Sequence, residues 1–342
     1  MNTKVCVTGA AGYLGSALVH KLLEKGYAVH ATLRNLGDAS KTGLLKALPH
    51  ADTRLLLFQA DIYNPDEFGP AIQGCQVVFH VATPLQHDAS SSQYKNTCEA
   101  AVAGVKAIVA SCIKSGTVKQ LIYTASAVAS SALKDDGSGY KDTIDESCWT
   151  PLNVSFRCAT DFLTAYVRSK TLAEKEVLRY NDEKKLEVVS LVCGLVGGYK
   201  FQSLIGESMR VLVSQATKDK MRYQSLRCLE EVIGKIPVLH IEDVIDAHIF
   251  CVENPGFTGR FLCASDLLKS EEIATLIQSC GSESKVPDEA AGGLGLSKYL
   301  PNANCGCVCA GRRSSLRIRT EILDGAPQSW RNWAFATNMT LG

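Results

Sequence analysis

The chain has 342 residues, 46% hydrophobic and 21% charged, the composition of a globular protein with enough apolar mass for a sizeable core. Its 36 Lys and Arg against 35 Asp and Glu leave a formal charge of +1, which argues against nucleic-acid and membrane-surface proteins, since those carry a basic excess. No apolar run reaches the roughly 18 residues of a transmembrane helix, and at about 150 residues per domain the length suggests two domains or one with a lobe.

Met1 to Lys4 leads straight into a strand-like stretch, so no signal peptide is expected and the location is expected to be cytoplasmic. Residues 4–8 form a short β-rich run ending in glycine. Residues 13–25 place Leu14, Ala17, Leu18 and Leu22 at helical spacing and close on Gly26. Apolar runs follow at 28–33, 55–59, 77–81, 119–124 and 188–196, with helical patterns at 65–74, 94–116 and 159–181 between them. Near-continuous apolar strands alternating with helices predict a parallel sheet covered on both faces, and right-handed crossovers make it doubly wound. Beyond about residue 198 the alternation weakens. Residues 237–240 and 259–263 read as short strands around a helix at 240–253, with Asp243 in its first turn. The expected fold is α/β, a doubly wound parallel sheet of Rossmann type with a smaller C-terminal substrate lobe. The sheet domain takes 1–198 plus about 237–253, the lobe about 199–236 and 254–291, and 292–342 form an atypical tail.

Most of the 14 cysteines sit singly in apolar segments (Cys6, Cys75, Cys112, Cys193, Cys251, Cys263), as buried free thiols do, which reads as a reducing compartment. Cys305, Cys307 and Cys309 are spaced CxCxC. No histidine follows and the usual zinc pairs are absent, so no metal is expected.

The first run ends in Thr8-Gly9-Ala10-Ala11-Gly12-Tyr13-Leu14-Gly15. Gly9 permits a tight turn, Gly12 lets backbone approach a pyrophosphate, and Gly15 lets helix pack closely on strand. The helix start then offers N–H groups and a positive dipole end to phosphate. A strand before and a helix after make this a dinucleotide site. The second strand ends at Leu33-Arg34-Asn35, where NAD sites usually carry an acid for the ribose 2′-hydroxyl. Arg34 suits a 2′-phosphate instead, Lys41 adds a second cation, and NADP(H) is the expected cofactor. Asp61, after the third strand, suits either the adenine amino group or a turn.

Tyr166 and Lys170 lie at i, i+4 on one helix face. An ammonium beside a phenol favours the phenolate, which brings a tyrosine toward neutral-pH proton transfer. Ser126 follows the fifth strand, at the sheet end where ligands bind, and a hydroxyl there suits a substrate oxygen that gains negative charge. Ser130 and Ser131 are close enough to leave the identity of that serine open. His80 and His240 beside strands read as structural histidines, Asp145-Glu146 as a loop cap, and Asp135-Asp136-Gly137 as a solvated turn.

These motifs resemble the plant dihydroflavonol reductase group of the extended short-chain dehydrogenase/reductases. The resemblance rests on Val7-Thr8-Gly9 to Gly15, His80-Val81-Ala82-Thr83-Pro84, Thr124-Ala125-Ser126, Asp145 to Trp149, Tyr166 to Lys170 and His240 to Asp243, and covers residues 4 to about 280. Phe58 to Asp61, Pro70 to Gln76 and Ile144 to Asn153 look most like the grass HC-toxin reductases and anthocyanidin reductase-like proteins. The resemblance implies a catalytic set of Ser126, Tyr166 and Lys170. It implies an NADPH site lined by Gly9, Gly12, Gly15, Arg34, Lys41, Asp61, Ile62, Val81, Ala82, Thr83, Thr124 and Lys170, with Ser131 and Pro84 on the substrate side. Hydride passes from NADPH to a carbonyl carbon while Tyr166 gives a proton to the oxygen.

The chain departs from that pattern at Val192, where the group usually has proline, and at Ser131 and Pro237, where dihydroflavonol reductases usually have Asn and Gln. Loss of those two polar groups argues against a dihydroflavonol as substrate. The usual C-terminal segment gives way to the cysteine cluster, Arg312-Arg313, Arg317, Arg319, Trp330 and Trp333. The expectation is a carbonyl reductase for a secondary metabolite or toxin-like ketone, with flavonoid ketones and phenolic aldehydes as alternatives. Its rivals are a sugar-nucleotide epimerase or dehydratase of the same fold, and a cofactor-binding protein without turnover. Its expected partner is a small-molecule carbonyl substrate, with no nucleic acid or membrane, as a monomer or weak homodimer.

Overall fold

Near-continuous apolar runs become strands, largely buried on both faces in the middle of the sheet and partly exposed at the edge strand of residues 55–59, and the glycine-punctuated amphipathic runs become the helices between them. In the computed structural model the described residues are 3–85, 93–198, 206–281 and 339–340. The first stretch gives β1 (Lys4–Thr8), α1 (Tyr13–Glu24), β2 (Ala28–Leu33), α2 (Ala39–Lys46), α3 (Ala51–Arg54), β3 (Leu55–Gln59), α4 (Phe68–Ile72) and β4 (Val77–His80). There follow α5 (Thr97–Ser115), β5 (Gln120–Ser126), β6 (Thr143–Ile144), α6 (Asp161–Asp182), β7 (Glu187–Cys193) and β8 (Leu195–Gly197). The remainder is α7 (Glu207–Leu212), α8 (Lys220–Ile233), β9 (Ile236–His240), α9 (Ile241–Glu253), β10 (Gly259–Cys263), β11 (Asp266–Leu268), α10 (Ser270–Gly281) and β12 (Met339–Thr340). No helix among the described residues is long and apolar enough to cross a membrane.

Seven strands form one sheet in the order β10-β7-β5-β4-β1-β2-β3. The pairs β1 with β2, β1 with β4, β2 with β3 and β4 with β5 are parallel, which is the expected doubly wound architecture. The chain runs outward from β1 in both directions, so the switch point lies between β1 and β4, and a ligand crevice opens at their C-terminal ends. A three-stranded sheet, β11-β9-β8, and the antiparallel pair β12-β6 complete the strands.

The chain divides into two compact units. The first holds Met1–Ala125, Thr164–Leu191 and Ile245–Arg260; the second holds Ser126–Leu163, Val192–Val244 and Phe261–Gly342.

In the first unit a single hydroxyl ties β1 to β4 across the switch point. Thr8 Oγ1 accepts the amide N–H groups of Val81 and Ala82, each at 3.1 Å, and lies 2.9 Å from His80 Nδ1. With both lone pairs engaged, the Thr8 proton goes to Nδ1, so His80 is neutral with its hydrogen on Nε2. Burial, with the Lys170 ammonium second, holds the His80 imidazole down at about 3. Helix α5 has a reciprocal N-terminal cap. Asn96 accepts Glu99 N at 3.0 Å and Glu99 accepts Lys95 N at 2.9 Å, while Gly116 closes the other end with φ +66°.

Helix α6 carries Tyr166, Lys170 and Glu174 along one stripe, four residues apart. Glu174 is fully buried; Arg260 Nε donates to its Oε1 at 2.8 Å and Ser190 Oγ to the same oxygen at 2.6 Å. This ion pair fastens α6 to β7 and β10.

The run 188–196, which begins in the first unit and continues in the second, departs from the single strand expected. It breaks at Gly194 into β7 and β8. Gly194 N donates to Cys263 O at 3.1 Å, and a Cβ at Gly194 would lie 2.4 Å from Pro237 O. Only a residue without a side chain brings β8 so close to β9. The apolar run looks continuous because both halves are buried. Asp145 accepts from Ser147 N and Oγ at 2.9 and 2.6 Å, and Asp136 accepts Ser138 N at 2.9 Å, so the expected loop cap and turn are both present. The CxCxC cluster, the arginines at 312–319, Trp330 and Trp333 lie outside the described residues.

Two predictions follow from the first unit's interior. Arg260→Met strands a buried carboxylate and lowers unfolding free energy by about 3–5 kcal/mol in urea titrations; a loss under about 1 kcal/mol contradicts the ion pair's role. His80 titrates lower folded than unfolded. Its contribution is complete above about pH 6.5 and is lost as pH falls toward about 3. Below pH 6.5 the wild type therefore loses about 1.4 kcal/mol per pH unit more than His80→Asn, measured as parallel denaturation curves, and equal slopes contradict it.

Candidate functional site

The glycine loop follows directly from the end of β1. Gly9 has φ +68°, and a Cβ there would sit 3.0 Å from Ala82 Cα. Gly15 is tighter, since a Cβ would lie 2.3 Å from Gly9 O. Thus one glycine admits the β4 end and another admits the first turn of α1 against the strand. Gly12 is exposed at the N-cap of α1, and no side-chain cap closes that helix start. Gly12 N donates to Gly9 O at 3.0 Å and Ala10 N to Thr32 O at 2.9 Å, which hold the loop in shape. The cradle fits a pyrophosphate: small residues where backbone must approach, and a helix start where anionic oxygens are favoured.

Arg34, exposed just past β2, makes no side-chain hydrogen bond or ion pair among the described residues. Lys41 is different. Its ammonium is 2.9 Å from Asp38 Oδ2, and Asp38 also caps α2 by accepting Lys41 N. Lys41 thus serves its own helix start, and Arg34 remains the available cation. Asp61 Oδ1 accepts Tyr63 N at 3.1 Å, while Asp61 N donates to Glu67 Oε2 at 2.9 Å. Its loop is therefore an Asx turn held open by Glu67. Ile62 is buried against Gly104 of α5, where a Cβ would meet Ile62 Cδ1 at 2.4 Å.

Lys170 is 3% exposed. Its Nζ donates to Thr124 O at 3.0 Å, Thr83 Oγ1 at 3.3 Å and Tyr123 Oη at 3.4 Å, and lies 4.9 Å from the centre of the Tyr123 ring. Three acceptors face the three hydrogens of the ammonium. The structure thus brings the predicted residues Thr83, Thr124 and Lys170 together at the ends of β4 and β5. Tyr166 stands one turn before Lys170, half-buried. Pro84 is buried beyond Thr83.

In the second unit, Ser130 and Ser131 are buried and committed. Ser130 Oγ donates to Cys148 O at 3.1 Å; Ser131 Oγ donates to Val232 O and accepts Leu133 N at 2.9 Å. Ser126 is half-buried. It accepts Val128 N at 3.5 Å, and its own proton has no acceptor among the described residues. Of the three serines, Ser126 alone has a donor to offer a ligand. His240 Nδ1 accepts Glu242 N at 3.2 Å, a helix-start contact that agrees with its structural reading.

Thr8 and Tyr123 were not singled out in the sequence. Thr8 precedes the glycines and reads as one more strand residue, yet it orients the β4 end. Tyr123 reads as apolar core. Burial pushes its phenol up, with Glu174 and Tyr166 adding to the effect, so it faces Lys170 as a neutral hydroxyl.

Residues 5–264 match the NAD dependent epimerase/dehydratase family. A putative anthocyanidin reductase of Ginkgo biloba is 37% identical over 292 residues, 83% of this chain and 82% of that protein. A dihydroflavonol 4-reductase of Callistephus chinensis is 36% identical over 302 residues, 88% of this chain and 78% of that one. The crystal structure of vestitone reductase from alfalfa, Medicago sativa, superposes with a TM-score of 0.64 at 32% identity, covering 83% of each chain. The resemblance to the dihydroflavonol reductase group is borne out, with no HC-toxin reductase among these relatives. By motif, sheet order and relatives alike, the chain belongs to the NAD dependent epimerase/dehydratase family, as an oxidoreductase with a nicotinamide dinucleotide cofactor.

Proposed function

We propose that this chain reduces the carbonyl of a flavonoid-type ketone at the expense of NADPH. The observation that carries the reading is the buried ammonium of Lys170, fixed at the ends of β4 and β5 one helical turn from Tyr166. The names of the relatives support a flavonoid-type substrate over a toxin-like ketone.

Gly9, Gly12 and Gly15 receive the pyrophosphate, and Arg34 pairs with the 2′-phosphate that distinguishes NADPH from NADH. Asp61, Ile62, Val81 and Ala82 line the adenosine side, with Lys41 as a secondary cation. When bound, the reduced nicotinamide supplies a hydride to the carbonyl carbon. Tyr166 donates its phenolic proton to the oxygen as negative charge gathers there. Ser126 donates a hydrogen bond to the same oxygen and stabilises that charge. Lys170 offers an N–H to the nicotinamide ribose, exchanging an acceptor such as Thr83, and keeps Tyr166 ready to give and regain its proton. Pro84 and Ser131 shape the substrate side; Ser131 contributes its position, since its hydroxyl is engaged within the fold.

Two expectations test this reading. Purified protein consumes NADPH with at least one member of a panel comprising a dihydroflavonol, an anthocyanidin, an epoxy-ketone and an aromatic aldehyde. Tyr166→Phe lowers kcat by about 100- to 10,000-fold. Silence across the panel, with tightly copurified NAD, supports the sugar-nucleotide epimerase instead. For the cofactor, Arg34→Ala raises KM for NADPH about tenfold or more while leaving that for NADH nearly unchanged. A wild type that uses NADH as well as NADPH contradicts the assignment.

A further inference from the structure

Helix α9 presents to the first unit's interior a row of apolar residues, Ile245, Ala247, Ile249, Phe250 and Cys251, all buried. Among them stands His248, 0% exposed. A buried imidazole costs stability relative to an aliphatic side chain unless its nitrogens are hydrogen-bonded. His248 Nε2 lies 2.8 Å from Thr124 Oγ1, a hydrogen bond linking residues 124 positions apart. The other polar end of the same residue, the Thr124 carbonyl, accepts from Lys170 Nζ at 3.0 Å.

Thr124 stands at the end of the ladder between β5 and β4, with β7 the neighbour on the other side. The parallel register of β4 with β5 runs from Val77 opposite Gln120 to His80 opposite Tyr123. Thr124 is one residue beyond the last pair, so on the β4 side no ladder partner fixes its peptide plane. Two side chains also grip it: Lys170 on the carbonyl and His248 on the hydroxyl. A rotation of this peptide would turn away the carbonyl that makes the 3.0 Å hydrogen bond from Lys170 Nζ.

We propose that His248 is a positioning residue for Lys170, acting through Thr124 to hold the carbonyl that seats the ammonium. This rests on the role given above to Lys170 beside Tyr166. His248 touches neither substrate nor cofactor in this account. It fixes a strand end, the strand end fixes the ammonium, and the ammonium sets how readily the Tyr166 phenol exchanges its proton. The other titratable groups in this space are His80 on β4, Tyr123 on β5 and Glu174 on α6, and the substitutions below leave them in place.

The test compares His248→Leu, which fills the space without a hydrogen bond, with His248→Gln, whose amide reaches the position of Nε2. Two readouts are taken. The first is the tyrosinate absorbance titration of cofactor-free protein, taken as the difference from the same protein carrying Tyr166→Phe. The second is kcat for carbonyl reduction across pH. In His248→Leu the Tyr166 ionisation and the basic limb of kcat both move up by about one pH unit, because the ammonium that favours phenolate is no longer seated. kcat at neutral pH falls about 10- to 100-fold. His248→Gln restores most of both. Thr124→Val removes the same bond from the other side and reproduces the shift, whereas Thr124→Ser retains it; this pair decides the matter if His248→Leu does not fold. Folded His248→Leu or Thr124→Val with an unmoved titration overturns the proposal, as does a Gln variant no better than Leu. If the wild type reduces no carbonyl, the reductase reading fails while the cofactor-free titration still decides the positioning role.

Discussion

One buried positive charge organises the functional end of this protein. The Lys170 ammonium has left water, so its hydrogens must find acceptors within the fold, and these come from two strand ends. Thr83 comes from the segment after β4, Thr124 and Tyr123 from β5, and the lysine itself from α6. Satisfying one ammonium therefore fixes the relative height of two strand ends and one helix. The Glu174 ion pair with Arg260, one turn further along α6, secures the same helix below. Thr8 performs the equivalent task at the switch point, using one hydroxyl to gather the two amides that follow β4.

Much of this was legible in the sequence. Strong apolar runs gave β1 to β5 within a residue or two; for the inner strands this is because a strand buried on both faces leaves little room for polar residues, while the edge strand β3 keeps its apolar run although partly exposed. The glycine loop was legible for a steric reason: Gly9 and Gly15 each face backbone where a Cβ would collide. Tyr166 and Lys170 were legible from their i, i+4 spacing together with the glycine loop and sheet pattern upstream. What escaped was long-range or masked by composition. Helix α8 lay in a stretch whose apolar residues, Leu226, Leu229, Val232 and Ile233, are diluted by charged ones. The break at Gly194 was hidden because both β7 and β8 are buried, and its cause, the carbonyl of Pro237, is far along the chain. The choice among Ser126, Ser130 and Ser131 needed the hydrogen bonds that commit the latter two. Lys41 counted as a free cation until Asp38 was seen to pair with it.

The departures from the pattern of the group at Ser131, Val192 and Pro237 all fall in the second unit. Val192 and Pro237 replace a usual proline and glutamine, and they flank the Gly194 approach that turns the chain from the large sheet into the small one. Ser131 replaces an asparagine usual in dihydroflavonol reductases, and its hydroxyl bonds the Val232 carbonyl of α8. The residues proposed for hydride and proton transfer thus follow the pattern of the group, while those proposed on the substrate side depart from it.

In the proposed reaction a hydride passes from NADPH to a carbonyl carbon while the protein supplies the proton. This is tested most directly with NADPH carrying deuterium on the transferable position of the nicotinamide, a flavonoid-type ketone as substrate, and mass and NMR analysis of the product. The account predicts an alcohol with deuterium on the former carbonyl carbon and a hydroxyl proton exchangeable with water. An alcohol without that label, or oxidation of NADPH with the ketone unchanged, would contradict it.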